Sequence, residues 1–203
     1  MRYAHSHRLA VGAVAIILVT AVLFVIQLNQ SPPPAPLAAP AEGWKRYDAS
    51  PYFSIDYPAD FAVDENYLYT ALGRGKNIHG ISFTVPASWG EGTNLVASDT
   101  KLAIETPVSS KCLATDFADG ATEISSLNDN GIAYTVVHTV GAVAGNRYDE
   151  TIYTTADRAQ CLSIRYFIHS NNIDNYPPGT KTAYDRARLI ETFDQMRESF
   201  RLK

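Results

Sequence analysis

The sequence predicts an α+β fold in which an antiparallel β-sheet meander is covered on one face by a C-terminal helix. Three observations predict it. Alternating β-branched and aromatic residues fill 131–169 around two turn segments, one amphipathic stretch closes the chain, and no internal repeat or heptad array intervenes.

The chain opens MRYAHSHR and then runs from Leu9 to Ile26 without a charged side chain, long enough to span a bilayer. We expect an uncleaved signal anchor over 9–28. Arg2 and Arg8 precede the run and no Lys or Arg follows until Lys45, which places residues 1–8 in the cytoplasm and the rest outside it. The competing reading is a cleaved signal peptide, whose apolar region is usually about 7 to 15 residues and ends near the cleavage site. The nearest A-x-A, Ala39-Pro40-Ala41, lies well beyond the run. Residues 29–43 carry Pro32, Pro33, Pro34, Pro36 and Pro40, a semi-rigid linker reaching on the order of 40 Å. The expected localisation is single-pass in the inner membrane, with residues 44–203 as a periplasmic globular domain.

Of 17 Lys and Arg, 15 remain once Arg2 and Arg8 are set aside, against 21 Asp and Glu, so the exported part carries a net charge of −6. That disfavours nucleic acid, which needs a basic stripe. Cys112 and Cys161 are the two cysteines, both in the exported part, and outside the cytoplasm such a pair is expected as a disulfide. No C-x-x-C occurs and His79, His138 and His169 are scattered, so neither a metal site nor a cofactor is expected.

Within the domain, YFSIDYPADF at 52–61 reads as a short strand stopped by proline, with Phe53, Ile55 and Tyr57 on one face. Residues 78–86 alternate Ile81, Phe83 and Val85 against Ser82 and Thr84, and Leu102 and Ile104 mark another strand after the long loop ASWGEGTNLVASDT. A short helix is expected around Cys112 to Phe117. The meander over 131–169 turns at GAVAGN and again at ADRA. Pairing Thr155 with Gln160 across the second turn would set Thr154 opposite Cys161, Ile152 opposite Ser163, Glu150 opposite Arg165 and Tyr148 opposite Phe167. Leu162, Ile164, Tyr166 and Ile168 then share the face that the helix covers.

That helix is TAYDRARLIETFDQMRESF, with Thr182 as N-cap and Asp185 completing an approximate capping box. Leu189, Ile190, Phe193, Met196 and Phe200 fall within an arc of about 120°, an apolar stripe. Arg197, Arg201 and Lys203 follow in the last turn, where positive charge suits the helix dipole.

The two ends of this element order resemble the PsbP-like fold. Phe53, Ser54, Ile55, Tyr57, Pro58 and Phe61 match its opening strand, and Ser199 and Phe200 match its closing helix. Asp60 stands where the family pattern has glycine and Phe61 where it commonly has tryptophan. The resemblance implies an exported protein of a group made up mostly of binding or assembly factors.

Candidate binding residues follow from position. Trp89 lies beside Gly90 and Gly92 on a long connection, either packing over the end of the sheet or meeting a partner. Tyr176 precedes Pro177 and Pro178 in the polar loop HSNNIDNYPPGT, which lacks the spacing of a calcium loop. His138 shares a strand face with Ile132, Tyr134, Val136 and Val140; a hydrogen-bonded core histidine is the plain reading, and an acid–base group with Glu150 and Arg165 the functional one. No G-x-S-x-G, H-E-x-x-H, phosphate loop or dinucleotide fingerprint is present. The sequence therefore points to a membrane-anchored binding or assembly-accessory module that meets an envelope protein or small ligand. A hydrolase-like enzyme using His138, Glu150 and Arg165 is the alternative.

Overall fold

The computed structural model of the chain describes residues 39–106, 112–118, 123–155 and 161–203, which belong to the compact unit Pro40–Lys203 except for Ala39. The expected anchor over 9–28 and the linker up to residue 38 lie outside the described residues. Among the described residues no helix is long and apolar enough to cross a membrane.

The fold is α+β with antiparallel sheets, as the periodicity predicts. A three-stranded sheet orders β1 (Trp44–Ala49), β2 (Phe53–Pro58) and β10 (Arg201–Leu202). A seven-stranded sheet runs β3 (Ala62–Tyr69), β4 (Ile78–Thr84), β5 (Lys101–Thr106), β9 (Ser163–Asn171), β8 (Asn146–Thr155), β7 (Ile132–Val143) and β6 (Glu123–Asp129). Two meanders, β3–β5 and β6–β9, thus join through the antiparallel β5–β9 pair. The hairpins of the second meander turn through Asn130-Gly131 and Ala144-Gly145, all four residues at positive φ, a backbone whose twist matches that of the flanking strands.

Among the described residues one α-helix, α1 (Arg186–Ser199), packs on β2 and on the face of the large sheet that carries Ile164, Tyr166 and Ile168. Leu189, Phe193, Met196 and Phe200 are buried there among Phe53, Ile55, Phe83, Leu102 and Ile104. Phe53 and Phe200 rings lie 5.5 Å apart and Tyr57 and Phe83 4.9 Å, which ties the small sheet to both helix and large sheet. The opposite face of the large sheet buries Tyr67, Tyr69, Ile78, Val137 and Ile152 beneath Phe117. Cys112 and Cys161 form a disulfide that secures the segment carrying Phe117.

Four sequence expectations change. The β8–β9 register is displaced by two residues: Thr154 pairs with Ser163, Ile152 with Arg165, Glu150 with Phe167 and Tyr148 with His169. Thr155 N–H donates to Leu162 O at 2.9 Å, so the connection spans six residues where four were counted, and Cys161 stands outside the ladder in its disulfide. Because the displacement is even, every side chain keeps its expected face. The helix begins at Arg186 with Asp185 as N-cap, accepting from Arg188 N–H at 3.0 Å, since Thr182 and Tyr184 give their backbone bonds to the 92–94 loop. Residues 112–117 form only a 3-10 turn at Ala114–Asp116. Arg197 is buried, 7% exposed, and belongs to the packed side of α1.

Candidate functional site

The β7–β8 hairpin, the end of β9 and the lead-in to α1 converge on a polar cleft of about 710 Å³. Its side chains include Asn94, Asn146, Arg147, Asp149, Tyr184 and Arg186. The local folding follows from amides: Asn94 donates through Nδ2 to Asn171 O at 2.6 Å and accepts Tyr184 N–H at 3.0 Å through Oδ1, binding the 87–100 loop to both β9 and the helix lead-in. At the wall stands Asp149, 6% exposed. Its Oδ1 lies 2.9 Å from His138 Nε2, and its Oδ2 lies 3.4 Å from Arg186 Nη2 and 4.0 Å from Arg147 Nη2. Both arginine side chains are more than half exposed, at 54% and 58%. Burial, reinforced by Asp149, raises the Tyr184 hydroxyl and keeps it a hydrogen-bond donor.

Across the sheet, Arg165 forms the second constellation. It is wholly buried. Nε and Nη2 hold Glu105 in a fork at 2.7 and 3.1 Å, Nη1 meets Glu150, Nη2 also donates to Phe117 O, and the guanidinium lies 3.8 Å over the Tyr69 ring. Ser163 Oγ donates to Glu105 at 2.9 Å, and the Tyr69 hydroxyl lies 3.1 Å from each Glu150 oxygen. Burial opposes the Arg165 charge, but Glu105 and Glu150 outweigh it and raise its pKa further above the ordinary arginine value. Burial likewise raises the Tyr69 hydroxyl.

Sequence-predicted residues divide between these places. Glu150 and Arg165 meet, diagonally and not directly opposite. His138 does not join them: it pairs with Thr151, which turns its ring to the helix side while Glu150 points the other way. Its partner is Asp149, and the ring is not part of the cleft lining. Trp89 packs edge-on to Phe61 at 5.6 Å with the Arg188 guanidinium 4.2 Å over it, the end-packing reading. Tyr176 accepts from Asn171 Nδ2 at 2.9 Å and has Lys181 5.9 Å from its ring; its loop supplies Asn171, Asn172 and Ile173 to the cleft, but Tyr176 is not in the lining. Sequence reasoning missed Asp149, Arg186 and Glu105, none of which sits in a motif. Asp149 had a usable signal, as the charged member of the strand face shared by Ile152's neighbours Thr151 and Tyr153.

Comparison with known proteins adds little chemistry. No family model matches the sequence, and no curated protein does. A solved structure from Bacteroides thetaiotaomicron VPI-5482 is similar with a TM-score of 0.44 and 13% identity, over 79% of this chain and 49% of that one. The chain thus spans about half the length of that protein.

Proposed function

We propose that the chain is a membrane-anchored periplasmic binding module without catalytic chemistry of its own, and that its polar cleft takes a small ligand or peptide end bearing a carboxylate. One observation carries this: in an exported part of net charge −6, Arg147 and Arg186, each more than half exposed, flank a cleft in which they stand 4.0 and 3.4 Å from Asp149. Arginine's fork suits a carboxylate, and the surrounding asparagine amides suit the ligand's remaining polar groups. The resemblance of the chain ends to PsbP-like proteins, mostly binding or assembly factors, points the same way, and the apolar run over 9–28 supplies the anchor. The hydrolase reading loses its constellation, because His138 faces away from Glu150 and Arg165.

The test is a thermal-shift and calorimetric screen of the full-length chain against dicarboxylates, amino acids and short peptides, repeated with Arg147→Ala/Arg186→Ala. A ligand whose affinity falls at least tenfold in the double variant is the expected result. Binding that is indifferent to both substitutions, or the absence of any binder in the set, would overturn the reading.

A further inference from the structure

Glu105, Glu150 and Arg165 bring two negative charges against one positive on the sheet face opposite α1. Glu105 holds Arg165 in a two-point fork, and both side chains are completely buried. The excess negative charge therefore falls to Glu150, whose side chain is 13% exposed. It opens into a separate pocket of about 470 Å³ walled by the rings of Tyr69, Tyr148 and Phe167. These rings are mutually packed, Tyr69 to Phe167 at 6.4 Å and Tyr148 to Phe167 at 5.9 Å. Lys101, the cation on neighbouring β5, is bound to Asp99 at 2.9 Å, so Glu150 shares with Glu105 the single Arg165 charge. Its ammonium nevertheless rides 5.5 Å from the Phe167 ring, so this aromatic surface already accepts a cation.

We infer that this pocket binds an organic cation: a protonated amine or quaternary ammonium on a small aromatic or apolar body, its charge against Glu150. The alternatives fit less well. An anion would need Arg165, whose donors already serve Glu105, Glu150 and Phe117 O in full burial. A hard metal ion needs about six oxygen ligands, and among the described residues no cluster of three or more His, Cys, Asp or Glu could hold one. Desolvated carboxylate beside aromatic faces is the environment in which ammonium groups are held, because ring quadrupole and carboxylate attract the same charge.

The probes are phenethylammonium and its neutral analogue 2-phenylethanol, titrated at fixed ionic strength into the full-length chain with binding followed by residue-resolved NMR. Phenethylammonium should bind saturably, shift signals of Tyr69, Tyr148 and Phe167, and bind at least tenfold more tightly than the alcohol. Glu150→Gln should remove that preference. Should Glu150→Gln fail to fold, Thr139→Lys decides: Thr139 lines the pocket directly opposite Glu150 on the same sheet face and outside the ion cluster, and a cation there should weaken amine binding severalfold. Equal affinity for amine and alcohol, no saturable binding, shifts confined to Asn94 and Tyr184, or wild-type amine affinity in Thr139→Lys would each overturn the proposal.

Discussion

Arg197 carries the residue-scale lesson, since a cation in the last turn of a helix reads as a surface residue until its neighbours are known. Its Nε donates to Tyr166 Oη at 3.1 Å, and its guanidinium reaches Asp129 and Asp194 while lying 5.0 Å from the Tyr153 ring. Burial opposes its charge, yet Tyr166 and Asp129 hold it protonated. We expect Arg197→Ala to cost about 2–3 kcal/mol, read from urea denaturation, because it strands charge-assisted hydrogen bonds on a buried tyrosine. A loss below about 0.5 kcal/mol would return Arg197 to the surface. Arg165→Met should cost more, about 3–5 kcal/mol, since Glu105 would be left buried and unpaired. Neither role was legible in sequence: Glu105 lies 60 residues from Arg165, and no local pattern signals a partner at that distance. The buried phenols have a pH consequence. Burial raises Tyr67, Tyr69, Tyr134 and Tyr166 above the ordinary 10.0, so their contribution is complete below that value. It is lost as pH climbs from about 10 through the folded values, where unfolded chains bind fewer protons. Phenolate absorbance at 295 nm should therefore rise together with loss of circular dichroism; a smooth titration near pH 10 with the fold intact would contradict this.

At the scale of elements, the helix stripe and the meander faces were readable because each rests on a local period. Phe193 is fully buried and meets Tyr166 at 5.2 Å and Phe61 at 6.5 Å, so Phe193→Ala should cost about 3–5 kcal/mol through the cavity it leaves. Asp185→Ala should cost about 1 kcal/mol by removing the N-cap. Calorimetry ranking the cap above the ring would show the helix held by its end and not by its face. Boundaries were less readable, because they depend on which distant segment claims the backbone: the 92–94 loop takes Thr182 and Tyr184 out of the helix. The β6 strand could have been found. Asn130-Gly131 is a strong two-residue hairpin signal, and EISSLND before it pairs residue for residue with β7. Its alternation is weak, however, and Ile124 is 65% exposed, so the hydrophobic period that reveals the other strands is faint there.

For the whole molecule, the two-sheet arrangement was beyond the sequence, since β10 is two residues long and exists only because α1 returns the chain to the edge of β2. The disulfide, by contrast, followed from the chain's two cysteines both lying in the part expected outside the cytoplasm. It joins positions 49 residues apart and anchors the segment whose Phe117 is wholly buried over Val137 and Ile152. In the chain-entropy account a loop of that length is worth about 4 kcal/mol through restriction of the unfolded chain. The Cys112→Ser/Cys161→Ser variant should therefore unfold at lower urea with about that loss. Hydrogen exchange should locate the damage as well as size it. Protection at Val137 and Ile152, beneath Phe117, should fall further than global stability requires, whereas Ile164 and Tyr166 under α1 should track the global value, because their cover does not depend on the bridge. Uniform loss on both faces would mean that the bridge acts on the unfolded chain alone; local loss without a change in the global value would mean that it serves only to hold the 112–118 segment in place.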